Sequence, residues 1–280
     1  MNARLPDDLR FGAIALAVTD LERSIDYYQR RLGMELLARD GSRATLGGGG
    51  RRLLELEERP GAARDPDAAD LFHFALRVPS RPALAQELAR LMATDTRLTG
   101  ASDHGVSEAL YLRDPDGHGI EFYRDRPRES WYRDGRVRMG TTALDLDDLR
   151  NEAGASAVDE AALDPDTVIG HVHLETVDLG RAKAFYIDRL GLDVTAERPG
   201  ATFMSKGGYH HHVAVNTWGG RTKEAQDHRG RLGMLWFEIE LPDPAGLAAL
   251  AVDFGAQVSV GQPLVVTDPN GLAIRFVAPA

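Results

Sequence analysis

The stretch Ile14–Ala15–Leu16–Ala17–Val18–Thr19–Asp20–Leu21, followed by Tyr28 and Leu32–Gly33, returns far downstream as Val172–His173–Leu174–Glu175–Thr176–Val177–Asp178–Leu179, followed by Tyr186 and Leu190–Gly191. A second frame also occurs twice. Leu71–Phe72–His73–Phe74 leads to Pro79, then to Asp114–Pro115–Asp116–Gly117 with Glu121–Phe122. Its copy is Leu235–Trp236–Phe237, then Pro242, then Asp268–Pro269–Asn270–Gly271 with Arg275–Phe276. The chain therefore reads as four modules in the order 1-2-1′-2′. Each opens with an alternating apolar segment, at 11–18, 71–78, 168–177 and 232–241, the pattern of a strand with one buried face. In 20–32, Leu21, Ile25, Tyr28 and Leu32 then recur at helical spacing, with Asp20 placed to cap the helix. Residues 178–190 repeat that pattern behind Asp178. Short strand-like runs separated by Gly-rich or Asp-Pro-Asp-Gly turns follow. Each module is thus expected to be one strand, one helix and about three strands, an α+β arrangement of four βαβββ modules.

Residues 141–167 are acidic, Ala-rich and outside the repeat. They read as a connection, with one short helix around 145–152, between an N-terminal domain over 1–140 and a C-terminal domain over 168–280. The Gly47–Gly50 run lacks the spacing of a phosphate loop and precedes a strand, which makes it a hairpin turn. At 280 residues and 43% hydrophobic, the chain can bury one or two cores. A net charge of −10 argues against nucleic acid or an anionic membrane as partner. No apolar run approaches the roughly 20 residues that span a bilayer, and Met1–Asp8 has no apolar core of a signal peptide. A cytoplasmic protein, with homo-oligomerisation possible through barrel edges, is the expectation. The absence of cysteine leaves His, Asp and Glu as the strong metal-ligand types.

The substitutions between copies carry the chemistry. His73 becomes Trp236, Glu121 becomes Arg275, and His171 replaces Ala13. Modules two and three thus hold potential ligands where one and four cannot bind a cation. A lone strand histidine is usually a packing or surface residue. Three donors surviving in complementary copies favour metal: two imidazoles and a carboxylate are the facial triad that holds non-haem Fe(II), with open positions for substrate and oxygen. His173 shares a strand face with His171, so alternation cannot separate them. The repeat does, because His171 stands seven residues before Asp178, as Ala13 does before Asp20 and His73 before Ser80. His173 remains a candidate supporting or lining residue.

Asp103–His104–Gly105–Val106–Ser107–Glu108–Ala109–Leu110–Tyr111–Leu112, with Asp114–Pro115–Asp116–Gly117–His118–Gly119–Ile120–Glu121, resembles the ring-cleaving extradiol dioxygenases of the vicinal-oxygen-chelate superfamily. That superfamily also contains glyoxalases and bleomycin-resistance proteins, and the likeness is to catechol 2,3-dioxygenases of the bacillus type. The resemblance spans essentially the whole chain. It implies two tandem glyoxalase-like domains of mixed-sheet half-barrels, with His73, Glu121 and His171 as ligands of Fe(II), or of Mn(II), which the same triad accepts. It further implies that His211, ahead of Val213–Ala214–Val215, is the acid–base group, and that His104 and Tyr111 are pocket residues hydrogen-bonding substrate oxygen. One departure is evident: the better-known relatives carry their metal in modules three and four, whereas here it falls to two and three. The His104–Tyr111 gap is also shorter than in those relatives.

The activity implied is insertion of O2 into a catechol-type ring beside a hydroxyl-bearing carbon, giving a muconic semialdehyde. Two alternatives share the fold. A glyoxalase-type isomerase or lyase usually needs a second carboxylate, and module one offers only Glu55 or Glu57. A drug-binding resistance protein needs no histidine ligands at all. For His210–His212, a surface cluster is the plain reading; on a strand His210 and His212 would face away from His211. Tyr209 and Asn216 are further lining candidates. Arg126 and Arg128 are read as solvated charges or as partners of an acidic substituent, and Trp131, Trp218 and Trp236 as packing residues.

Overall fold

In the computed structural model, described over residues 5–153, 162–224, 230–259 and 261–279, every module opens on the strand its alternation predicts. Module one is β1 (Arg10–Val18), α1 (Leu21–Leu32), β2 (Glu35–Asp40), β3 (Arg43–Gly48) and β4 (Arg51–Glu58). Module two is β5 (Leu71–Arg77), α2 (Arg81–Ala93), β6 (Gly100–Asp103), β7 (Ser107–Arg113) and β8 (Gly119–Asp125). The connection carries a two-residue-stranded hairpin, β9 (Tyr132–Arg133) and β10 (Arg136–Val137), then β11 (Thr142–Ala143) and α3 (Leu146–Glu152). Residues 154–161 of that connection lie outside the described residues. Module three is β12 (Val168–Glu175), α4 (Leu179–Lys183), β13 (Asp193–Arg198), β14 (Ala201–Ser205) and β15 (Val213–Asn216). Module four is β16 (Gly233–Glu240), α5 (Pro244–Asp253), β17 (Leu264–Thr267) and β18 (Ala273–Val277). The fold is α+β, built from βαβββ modules with mixed sheets.

Two compact units emerge from the packing, with boundaries inside β1, β5 and β12. The first comprises 18–61 and 73–170; the second comprises 1–17, 62–72 and 171–280. Within the first, the strand order β11-β6-β7-β8-β5 places β5 parallel to β8, and β4-β3-β2 forms an antiparallel meander. Within the second, β17-β18-β16-β1 and β12-β15-β14-β13 repeat the scheme, with β12 parallel to β15 and β16 parallel to β18. The first strand of module one thus pairs antiparallel with the first strand of module four.

Local signals explain the elements. Asp20 accepts from the Arg23 N–H at 3.0 Å, and Asp178 caps α4 in the same way. The buried α1 positions Leu21, Ile25, Tyr28 and Leu32 are the ones helical spacing selects. The Gly47–Gly50 run is the β3–β4 hairpin, with Gly49 and Gly50 in the left-handed region. Two expectations need adjustment. Only five residues behind Asp178 are α-helical, and Ala184–Arg189 continue as a π-helical turn. Module four shows two strands after its helix among the described residues, not three.

Gly33 ends α1 at φ 65°, and a Cβ there would meet the Arg90 guanidinium at 2.6 Å. Gly33→Ala is expected to destabilise by about 1–2 kcal/mol from the left-handed backbone alone, read as a lowered denaturation midpoint.

The repeated tyrosine and Asp-Pro turn meet in both copies. Tyr28 donates to Asp114 at 3.0 Å and Tyr186 donates to Asp268 at 3.0 Å, with all four residues buried. Their carboxyls shift in opposite directions. Burial pushes Asp114 up, but the charge and hydrogen bonds of His118, with the Tyr28 bond, overcome it and hold the carboxyl below its ordinary value. Module four has Leu272 in the place of His118, and burial raises Asp268 despite its hydrogen bonds. A lowered carboxylate contributes stability above its unfolded pKa of about 3.9, and that contribution is lost as pH falls through the folded value. A raised one contributes at low pH and loses its contribution as pH rises through the folded value. Asp114→Asn should therefore flatten the acid-side fall of the denaturation midpoint, while Asp268→Asn should leave that fall in place.

Candidate metal centre and acid–base group

In the first unit, parallel β5 and β8 align Ala75 with Glu121, so His73, two residues before Ala75, points from the same face. His73 Nε2 lies 2.9 Å from Glu121 Oε2, and both side chains are buried. On the other side of β8, Tyr111 is the register partner of Glu121, and its ring lies 5.6 Å from that of His73. A buried carboxylate against a neutral-capable imidazole is a costly arrangement unless a proton or a cation completes it. This donor set fits a divalent metal.

His104 joins the same cluster. Its Nδ1 is 2.9 Å from the Gly140 carbonyl, and its Nε2 is 2.7 Å from the Tyr111 hydroxyl. A carbonyl only accepts, so Nδ1 carries a proton and donates to Gly140, while Nε2 shares a hydrogen bond with the Tyr111 hydroxyl, which also bonds the Glu121 carboxylate. Burial, followed by the charge of Glu121, pushes the Tyr111 hydroxyl well above its ordinary value. Tyr111 is therefore a protonated hydrogen-bond donor and not a base. The β6–β7 register sets Tyr111 opposite Gly100 and leaves His104 at the turn, so the two meet through the reach of their side chains.

In the second unit, β12 carries His171 and His173 on one face, both buried. The His171 and His211 rings have centroids 4.1 Å apart. His210 Nδ1 and His211 Nδ1 are 3.0 Å apart, and Phe203 packs 5.3 Å from His211. The strand here begins at Val213, so His210–His212 precede it, and strand alternation does not sort their faces. They are buried, not a surface cluster. His173 Nε2 lies 2.9 Å from Asn216 Nδ2. The Trp218 N–H donates to Asn216 Oδ1 at 3.0 Å, which fixes the amide with its NH2 toward His173. His173 Nε2 is therefore the acceptor.

The corresponding positions of module four look different. Arg275 lies 4.3 Å over the Trp236 ring, with its Nε 3.6 Å from buried Glu238. A guanidinium on an indole stands where module two has a carboxylate and an imidazole. That exchange removes a cation site.

Arg126 neither meets solvent alone nor reaches for a ligand: it pairs with Asp103 at 2.7 Å and with buried Glu108 at 2.9 Å. Trp131 is buried as packing predicts, but Trp218 is 51% exposed. Phe72 and Phe203, which the sequence reading did not single out, line the His173 surroundings. Nothing in their local sequence marks them, since each is one apolar residue on a strand or its edge. Among the described residues, no helix is long and apolar enough to cross a membrane.

Comparison with known proteins agrees with this architecture. The model of the Glyoxalase/Bleomycin resistance protein/Dioxygenase superfamily matches residues 10–122. A Catechol-2,3-dioxygenase of Bacillus subtilis (strain 168) is 42% identical over 252 residues, covering 88% of this chain and 87% of that protein. A Lactoylglutathione lyase of Neisseria meningitidis serogroup A is 31% identical over 120 residues, covering 40% of this chain and 87% of that protein. The crystal structure of glyoxalase I from Zea mays superposes with a TM-score of 0.55 at 18% identity, covering 97% of this chain and 92% of that one; it bears on the fold alone. The chain belongs to the glyoxalase/bleomycin resistance protein/dioxygenase superfamily. Within it, the chain is an oxidoreductase of the extradiol dioxygenase class.

Proposed function

We propose that the protein cleaves a catechol-type aromatic diol with O2, outside the two hydroxyls, giving a muconic semialdehyde. His73, Glu121 and His171 would hold the metal, Fe(II) or Mn(II). The observation that carries this reading is the buried His73–Glu121 pair at 2.9 Å beside Tyr111, in a chain 42% identical to a catechol-2,3-dioxygenase. All three proposed ligands are buried. A bound divalent metal would supply Lewis acidity that lowers the pKa of a coordinated hydroxyl and would give substrate and O2 a common site.

The chain's own groups account for the rest. His211 exchanges the substrate proton. Its Nδ1 faces His210, so transfer runs at Nε2, and an imidazole serves both directions because its pKa lies near working pH. Tyr111, kept protonated by burial, donates a hydrogen bond to a substrate oxygen as negative charge develops there. His104 orients that hydroxyl while its own ring is anchored on Gly140. Partial burial of the His104–Tyr111 bond strengthens it by limiting access of water. The proposed division into domains 1–140 and 168–280 follows the repeat, and cytoplasmic location and homo-oligomerisation remain proposals of the same reading.

The test is anaerobic addition of catechol to protein loaded with Fe(II), then admission of oxygen while the absorption spectrum is recorded. A yellow product is expected. Metal-loaded protein that yields none from catechol or any alkylcatechol, yet isomerises a glutathione hemithioacetal, would replace this reading with the glyoxalase type.

A further inference from the structure

Trp218 presents an unusual combination: it is 51% exposed, yet both of its N–H groups are committed. Its backbone N–H donates to Asn216 Oδ1 at 3.0 Å, and its indole N–H donates to the Pro199 carbonyl at 3.0 Å. The ring edge is packed as well, 5.7 Å from Phe72 and 5.4 Å from His173. A large exposed apolar side chain that is already immobilised gives a ligand contact area at little further entropic cost.

The surroundings show which ligand group it suits. In the parallel pairing of β12 and β15, His173 faces Ala214, and Ala214 in turn faces Phe203 on β14. The small Ala214 between them leaves the His173 and Phe203 rings facing each other, 5.7 Å apart at their centroids. Phe72 closes the group 4.9 Å from His173. His173 stands two residues beyond His171 on the same face, about 6.6 Å at the usual strand rise, a distance comparable to an aromatic ring with its first substituent atom. Arg221 is engaged: its Nε lies 2.8 Å from buried Glu175, and its terminal nitrogen bonds the Pro66 carbonyl.

We propose that Phe72, His173, Phe203 and Trp218 form the wall that receives an uncharged ring substituent, making alkyl- or aryl-substituted diols the preferred substrates and carboxylated diols poor ones. This rests on the dioxygenase reading. A carboxylate placed against four rings would lose its hydration while Arg221 stays paired with Glu175, whereas an alkyl group would bury apolar area. Asn216 keeps the wall in place by fixing both His173 and the backbone of Trp218.

The test compares 4-ethylcatechol, 3,4-dihydroxybenzoate and catechol as substrates of the metal-loaded protein. It is joined to an anaerobic titration with 4-ethylcatechol that follows tryptophan fluorescence. The expected kcat/KM for 4-ethylcatechol exceeds that for the carboxylated diol by about tenfold or more. Trp218→Ala should raise KM for 4-ethylcatechol by about tenfold, the scale of one aromatic contact, and for unsubstituted catechol by much less. Trp218→Phe should restore most of the loss. Binding should quench fluorescence in the wild type, and the quench should vanish in Trp218→Phe, which retains Trp131 and Trp236. Equal kcat/KM for the two substituted diols, or equal effects of Trp218→Ala on 4-ethylcatechol and catechol, overturns the wall while leaving the dioxygenase standing. A Trp218-dependent quench without turnover of any diol keeps the wall and rejects the dioxygenase. Absence of both quench and turnover rejects the two together.

Discussion

Glu121→Ala is expected to empty the metal site. The carboxylate is 3% exposed and lies 2.9 Å from His73 Nε2, so its removal takes away the one anionic donor of the proposed set. Loss of a residue that only supports a ligand costs about 10–100-fold in metal affinity, and loss of the ligand itself should cost at least that. After dialysis, metal content measured by atomic emission should fall from near one ion per chain to near none, with catechol cleavage falling in parallel. The fold should survive, because β8 keeps its pairing with β5 and β7 through the backbone. An unchanged thermal midpoint with full metal retention would remove Glu121 from the ligand set. Glu121→Gln, isosteric but uncharged, should fall between the two and shows how much of the effect is charge.

His211→Ala should behave in the opposite way, retaining metal while turnover slows by about 10²–10⁴-fold, the usual size of acid–base catalysis. His211 packs ring to ring on His171 at 4.1 Å, so the substitution also leaves a gap beside a proposed ligand. His211→Asn narrows that gap and keeps a polar group, but cannot exchange a proton near neutral pH. If His211 acts through its proton, the asparagine variant should be as slow as the alanine variant, and the rate should lose its dependence on pH between about 5 and 8. Recovery of wild-type turnover by asparagine would assign His211 a packing role instead.

Much of this architecture was legible in the chain. Period-two alternation places β1, β5, β12 and β16 to within a residue or two, since a strand with one buried face must alternate. The capping aspartates Asp20 and Asp178 and the hairpin glycines Gly49 and Gly50 act within a few residues, so their signals are local. The repeat selected His73 and Glu121, which the parallel register of β5 and β8 then brings into contact. Where the reading fell short, the deciding contact is distant in sequence. The end of regular helix at Lys183 has no local breaker to announce it. Arg126 looked available for a ligand until the fold supplied Asp103 and Glu108, about twenty positions earlier, as its partners.

What the sequence determined by itself is the modular plan and the inventory of donors: two copies of each module, no cysteine, and imidazoles and a carboxylate kept in some copies while exchanged for Trp236, Arg275 and Ala13 in others. Those are properties of residue identity and short-range spacing. The tertiary structure alone decided which groups act on which. His211 reaches His171 because the segment before β15 runs beside β12, where the Val172 N–H donates to the His212 carbonyl, and Tyr111 meets His104 through side-chain reach across the β6–β7 hairpin. Trp218 stays exposed because its N–H groups are held by Asn216 and Pro199. Alternation assigns a side chain to a face, but loop paths and ring contacts depend on partners tens of residues away, and those are fixed only when the whole chain packs.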